Sequence, residues 1–203
     1  MDVWYAAYGS NLLEARFLAY LRGGPVPGSR RNQYGARDAT DPVDSKPYRM
    51  DRTMLFGQDA PTWGGGVCFV DPHRVVPGDT LGRAWLLTLE QVSDVWAQEN
   101  GGTIGPDIDI ETLIAEGSAD LGSGWYRRLE YLGQFEGRPI VTITCEELPE
   151  PNAAGAPYLD VVGRGLIETW GLSPSEAAVY LASRTGNRGQ VEPEDLERPL
   201  RSS

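Results

Sequence analysis

Val3-Trp4-Tyr5-Ala6-Ala7-Tyr8-Gly9-Ser10-Asn11-Leu12 opens the chain with an apolar, aromatic run that breaks at Gly-Ser-Asn before a Leu- and Ala-rich stretch. The order reads as a strand over 2–8, a tight turn, and a helix over 11–22. Gly9 admits turn conformations closed to other residues, and Ser10 or Asn11 is a suitable N-cap. Such a corner aims backbone N–H groups outward at the positive end of a helix, where a carboxylate or phosphate is held. Taken alone, a corner of this kind is more often a plain turn than a ligand site.

Outward from that corner, strands are expected at 49–57, 65–71, 81–89, 125–135 and 139–146. Pro77-Gly78-Asp79 separates the third and fourth of the chain's strands, and Glu136-Gly137-Arg138-Pro139 closes the last two into a hairpin. Helices are expected at 90–99, 109–117, 157–171 and 174–185. Thr88-Leu89-Glu90-Gln91 has the spacing of a capping box, and Ser173-Pro174-Ser175-Glu176 places a cap, a first-turn proline and an acid in sequence. Residues 23–48 and 100–124 resist assignment and read as excursions from a compact core, where binding loops often lie. The polar stretch 186–203, with Pro193 and Pro199, reads as a loosely ordered tail. Early strands, a following helix and later hairpins imply an α+β domain over 1–185, a small mixed β-barrel or curled mixed sheet with helices outside.

Composition narrows the function classes. Apolar residues make up 40% of 203, enough for one sizeable core, and the net charge of −11 argues against a general nucleic-acid binder. Cys68 and Cys145 both sit in apolar, strand-like runs, which points to small buried hydrophobes of a reducing compartment. The N-terminal residues lack the pattern of a secretion signal, and no run reaches the length of a membrane span. A cytoplasmic protein without membrane or nucleic-acid partners is the expectation.

The second informative stretch is Gln98-Glu99-Asn100-Gly101-Gly102, at the end of the helix that follows the Gly82-Arg83-Ala84-Trp85 strand. A carboxylate at a helix end beside an apolar strand is partly desolvated, its pKa rises, and it suits a proton carrier. By its local sequence alone, Glu99 reads more simply as a solvated helix-terminal acid. The two stretches together, in this order and spacing, resemble the γ-glutamylcyclotransferase-like family. Trp125-Tyr126-Arg127-Arg128 and Ala156-Pro157-Tyr158-Leu159, with Gly165-Leu166 and Gly171-Leu172, continue the resemblance. The matching blocks, roughly 3–13, 65–101, 125–147 and 156–172, cover about half of the chain. Two departures stand out: segments 23–63 and 102–124 exceed what a minimal member needs, and Asn100 intervenes where the simple pattern has glycine directly after the glutamate.

The resemblance implies a small mixed β-barrel flanked by helices, and cleavage of a γ-glutamyl amide by ring closure to 5-oxoproline. It implies Glu99 as general base and then general acid, and no cofactor. The corner Tyr8, Gly9, Ser10, Asn11 and Leu12 would bind a small-molecule γ-glutamyl substrate, with Tyr158 donating a hydroxyl and Tyr5 and Tyr126 as further lining. No metal is implied, because His73 is the only histidine. Two other readings are carried: a non-catalytic anion- or partner-binding module on the same fold, and a related amide-cleaving or acyl-transferring biosynthetic enzyme. A Ser10–His73–Asp71 triad is disfavoured, since Gly9-Ser10-Asn11 lacks the small-residue elbow of a serine hydrolase.

Overall fold

The computed structural model describes residues 1–26 and 32–201. In chain order the elements are β1 (Asp2–Ala7), a 3₁₀ turn (Ser10–Leu12), α1 (Glu14–Arg22), β2 (Gly24–Pro25), β3 (Asn32–Gln33), β4 (Asp44–Met50), β5 (Met54–Ala60), β6 (Gly65–Val70) and β7 (Thr80–Thr88). There follow α2 (Leu89–Glu99), α3 (Ile110–Glu116), β8 (Ser118–Asp120), β9 (Arg128–Phe135), β10 (Arg138–Thr144), α4 (Ala156–Trp170), α5 (Pro174–Ala182) and α6 (Pro193–Arg201). The fold is α+β, as expected. Its strands form one six-stranded mixed sheet in the order β4-β7-β1-β10-β9-β8, with β5–β6 and β2–β3 as separate two-stranded ribbons.

β1 is interior to the sheet because its residues bury on both faces. It runs antiparallel to β7, with Tyr5 opposite Trp85, and parallel to β10, with Tyr5 opposite Val141. The strand's period of two sends Trp4, Ala6 and Tyr8 into one core, and Val3, Tyr5 and Ala7 into the other. The first core is completed by Leu159, Val162 and Leu166 of α4, Ala177 and Leu181 of α5, and Leu196 and Leu200 of α6. The second takes Phe17 and Tyr20 of α1, Val92, Val95 and Trp96 of α2, and Leu113 of α3. Helices therefore cover both faces. The β5–β6 ribbon is tied to β10 through Thr144, whose hydroxyl donates to Val70 O at 2.6 Å and accepts from Val70 N at 3.2 Å.

Local signals act where they were expected. Thr88 Oγ1 accepts from Gln91 N while Gln91 Oε1 accepts from Thr88 N, and Ser173 with Glu176 repeats the box at α5. The β9–β10 turn is Glu136-Gly137, both at positive φ (48° and 76°), the two-residue hairpin geometry that follows strand twist. Three expectations fail. The strand expected at 49–57 straddles a turn between β4 and β5, so most of β4 lies in a stretch left unassigned. The 11–22 helix starts at Glu14 after the 3₁₀ turn, and neither Ser10 nor Asn11 caps it with its side chain. The tail is not loose up to Arg201: α6 buries Leu196 and Leu200, the latter against Gly163. Residues 27–31 of the first excursion and 202–203 of the tail lie outside the described residues.

Both excursions are docked on α2 through Asp94. This carboxylate is fully buried, accepts from Arg37 N (2.8 Å), Arg37 Nε (3.0 Å) and Gly105 N (3.0 Å), and pairs with the Arg37 guanidinium. Burial alone would raise its pKa; the Arg37 and Gly105 bonds outweigh it and hold the carboxyl below the ordinary range. A depressed folded pKa gives stability that is present above the unfolded value and lost as pH falls through the folded one. Asp94→Asn is thus expected to cost about 2–4 kcal/mol at pH 7. The deficit against wild type should shrink in urea melts as pH drops below the ordinary aspartate value.

Candidate active site

The corner after β1 is held from the sheet side. The Trp85 indole N–H donates to Asn11 O at 3.0 Å, and the neighbouring Arg83 guanidinium donates to Leu12 O at 3.3 Å. Arg83 also bonds Glu14 (2.7 Å), Ser45 (2.9 Å) and Glu168, joining α1, β4 and α4 around one buried cation. The Gly-x-Ala-Trp strand therefore has a physical role at the corner, since two of its side chains bind the carbonyls of the turn. From the other side α4 closes in at Gly165, whose absent side chain leaves room for Leu12 and Leu13.

Gly9 is needed here for proximity, not for a left-handed backbone. Its φ is −114°, and a Cβ on it would come 2.9 Å from the Tyr158 hydroxyl and 3.2 Å from Cys68 Cβ. With the cap role gone, the Asn11 side chain is free to point across the cavity. Its Nδ2 donates to Glu99 Oε1 at 2.7 Å and lies 3.4 Å from the Tyr5 hydroxyl. Residues 88 positions apart thus meet directly. Asn11 Oδ1 is buried and has no hydrogen-bond partner among the described residues.

Glu99 is the last residue of α2, half-buried, its side chain lining the cavity. Burial raises its pKa above the ordinary carboxylate value, against the lowering effects of the Arg16 charge and of hydrogen bonds from Asn11 and Tyr20. The intervening Asn100 completes the site. Its Nδ2 donates to Trp96 O (3.0 Å) and Tyr126 O (3.1 Å), and its Oδ1 accepts from Tyr126 N (3.2 Å). The helix end is thereby stapled to the loop that carries Tyr126.

A narrow inner slot is lined by Tyr5, Tyr8, Gly9, Ser10, Asn11 and Glu99, and by Cys68, Tyr126, Ile143 and Tyr158. It adjoins an outer chamber of about 310 Å³ walled by Arg16, Trp63, Trp125 and neighbours, and the two share Ser10, Glu99, Tyr126 and Tyr158. Tyr8 lines the slot but spends its hydroxyl hydrogen on Ile143 O at 2.8 Å. Tyr126 donates to Cys68 O at 2.9 Å, and the Tyr158 oxygen accepts from Cys68 N at 3.2 Å. Cys68 is buried and unpaired, and burial pushes its thiol pKa up to about 12. Leu12 does not line the cavity: it is fully buried in the core, with its N–H on Gly9 O. His73 is exposed, its ring 3.2 Å from Glu146 O, and it lines no cavity with Ser10. Ser10, His73 and Asp71 are not assembled as a catalytic triad.

Sequence reasoning missed Arg16, Tyr20, Trp63 and Trp125. A signal for the first two was present: they stand four residues apart on one face of α1, and that face carries the core residues Phe17 and Leu21. Among the described residues no three His, Cys, Asp or Glu side chains come together as a metal-binding group. No helix among them is long and apolar enough to cross a membrane.

No family model matches the chain. It is similar to histone deacetylase 5 of Arabidopsis thaliana, 35% identical over 202 residues that cover 89% of this chain and 30% of that protein. The chain thus spans less than a third of the length of that relative. Among solved structures it is similar to a γ-glutamyl cyclotransferase, with a TM-score of 0.51 and 18% identity over 100% of both chains. It is similar also to an uncharacterized protein from Homo sapiens, with a TM-score of 0.51 and 18% identity over 97% of this chain and 98% of that one. YkqA from Bacillus subtilis gives 0.50 and 18%, over 91% of this chain and 55% of that one.

Proposed function

Given a chain with the γ-glutamylcyclotransferase-like fold, we propose that it cleaves a γ-glutamyl amide by intramolecular cyclisation, with Glu99 as the proton carrier. The observation that carries this reading is the Asn11–Glu99 contact of 2.7 Å at the mouth of the slot, beside the orphaned Asn11 Oδ1. A carboxylate and an unpaired amide oxygen side by side are two acceptors for one ammonium group. The substrate's α-ammonium fits that demand.

Glu99 takes a proton from the α-ammonium, and the freed nitrogen attacks the γ-carbonyl carbon. The new C–N bond closes a five-membered ring, and charge develops on the carbonyl oxygen. Backbone N–H groups of the Gly9–Asn11 turn are the nearest preorganised dipoles for that charge or for the substrate carboxylate. The original amide C–N bond then breaks. The two protons shed by the attacking nitrogen end on the departing one, one of them returned by Glu99, so the products are 5-oxoproline and a free amine. The attacking atom belongs to the substrate, and rate comes chiefly from holding the glutamyl chain folded.

The test is 5-oxoproline release from a panel of γ-glutamyl amino acids, peptides and amines. Turnover of none, with binding retained, would leave an anion-binding module on this fold. Asn11→Leu supplies an internal check. It removes a hydrogen bond to a charged group, worth about 1.5–3 kcal/mol, so kcat/KM at pH 7 should fall about 10- to 100-fold. That bond lowers the Glu99 pKa, so its loss should move the acid limb of the pH–rate profile to higher pH. An unmoved limb would mean that Glu99 is not the group titrating.

A further inference from the structure

The reaction just proposed draws on Glu99, Asn11 and the Gly9–Asn11 backbone, and leaves Arg16 idle. Arg16 is only 6% exposed, and its Nε and one terminal nitrogen are buried without any hydrogen-bond partner among the described residues. Among the described residues it forms no ion pair, and it acts on Glu99 through its charge alone. A guanidinium is always charged, and burying one with empty donors is costly unless a ligand completes it. The group lies 4.9 Å from the Trp63 ring centroid and 6.0 Å from that of Tyr20, so aromatic faces cover it while it lines the outer chamber.

The position of the chamber decides which part of a substrate meets it. Arg16 lines the outer space and not the slot, while Glu99, Ser10, Tyr126 and Tyr158 line both. A glutamyl unit whose ammonium sits between Asn11 and Glu99 puts its scissile bond at the junction, and the departing amine in the outer chamber. Trp63 and Trp125 give that chamber apolar walls. The planar fork of a guanidinium fits a carboxylate with two parallel bonds.

Resting on the proposed cyclisation, we propose that the outer chamber is a leaving-group subsite in which Arg16 binds a carboxylate. The substrate class is then a γ-glutamyl amino acid or short peptide whose departing amine carries a free carboxylate, and not a neutral γ-glutamylamine or a protein isopeptide.

The experiment compares γ-glutamyl-alanine with its neutral isostere γ-glutamyl-alaninamide, at a pH well above the acid limb. Wild type should favour the acid about 10- to 100-fold in kcat/KM. Arg16→Gln should bring that ratio close to 1 by slowing the acid alone, with Arg16→Lys between. Because any effect of Arg16 on Glu99 is common to both substrates, it cancels in the ratio. A wild-type ratio near 1 overturns the proposal. So does an equal loss on both substrates in Arg16→Gln, which would place Arg16 on the glutamyl unit or on Glu99. Should wild type turn over neither compound, the cyclisation reading falls, and calorimetry on Glu99→Gln decides the subsite separately. Tighter binding of the acid, abolished by adding Arg16→Gln, would keep it; equal binding would remove it. The wild-type ratio needs no variant, so a misfolded Arg16→Gln leaves the proposal open to refutation.

Discussion

Glu99→Gln is expected to lower 5-oxoproline release by about 10²- to 10⁴-fold and, in the same protein, to raise thermal stability at neutral pH. The activity loss follows from the role: glutamine cannot carry a proton, although its oxygen still accepts from Asn11. The stability gain follows from burial. Glu99 has a folded pKa above its ordinary value, so the fold binds the proton more tightly than the unfolded chain does. Between those two values the wild type loses stability as pH rises, and above the folded value the whole cost is present. Below the ordinary carboxyl value both states are protonated and the cost is gone. Melting curves of the two proteins should therefore lie furthest apart at neutral pH and converge in acid. A variant as active as wild type would remove Glu99 from the mechanism. One that is less stable at neutral pH would contradict the desolvation argument and leave the catalytic one standing.

A large effect on folding that reaches the site is expected at Gly165. A Cβ there would come 2.5 Å from Leu12 Cβ and 2.7 Å from Leu13 N, and the second of these is backbone that cannot step aside. Gly165→Val forces α4 away from the corner, which should cost about 3 kcal/mol and lower Tm by roughly 10 °C for a domain of this size. Activity should fall further than the loss of folded protein explains, because Leu12 and Asn11 share one turn. Wild-type Tm in the valine variant would mean that helix and corner are not in close contact.

The elements legible in the sequence are those whose local chemistry and tertiary demand agree. β1, β6, β7 and the β9–β10 hairpin are apolar and bounded by turn residues, and α2 and α5 begin at boxes whose bonds form as read. β4 was not legible because it is an edge strand: Asp44-Ser45-Lys46-Pro47 is polar and half exposed, and proline is tolerated where only one side pairs. α6 was hidden by Pro193 and Pro199, yet Pro193 occupies its first position, where the missing N–H costs nothing, and Leu196 and Leu200 recur at helical spacing. Of the site, the corner and the acid were legible through their order along the chain. Their juxtaposition was supplied only by the family resemblance, since nothing local says that Asn11 turns away from the helix it precedes. Gly9 does not stand at a positive φ, and the close approach it permits is to Tyr158. Arg16 was illegible because a lone arginine on a helix reads as a solvated charge, and only the third dimension shows that it is enclosed.

Trp85 and Arg83 grip the corner from the sheet, so the turn that carries Asn11 is held by the sheet and not by the chain's two long excursions. Trp63 stands at the end of the longer segment 23–63 and Trp125 directly after 102–124, and both face the outer chamber. Such a separation lets evolution, or an engineer, exchange the rim for a new departing group while the reacting centre stays as it is. Transplanting either excursion between proteins of this architecture should therefore change substrate preference and leave the pH dependence of turnover in place.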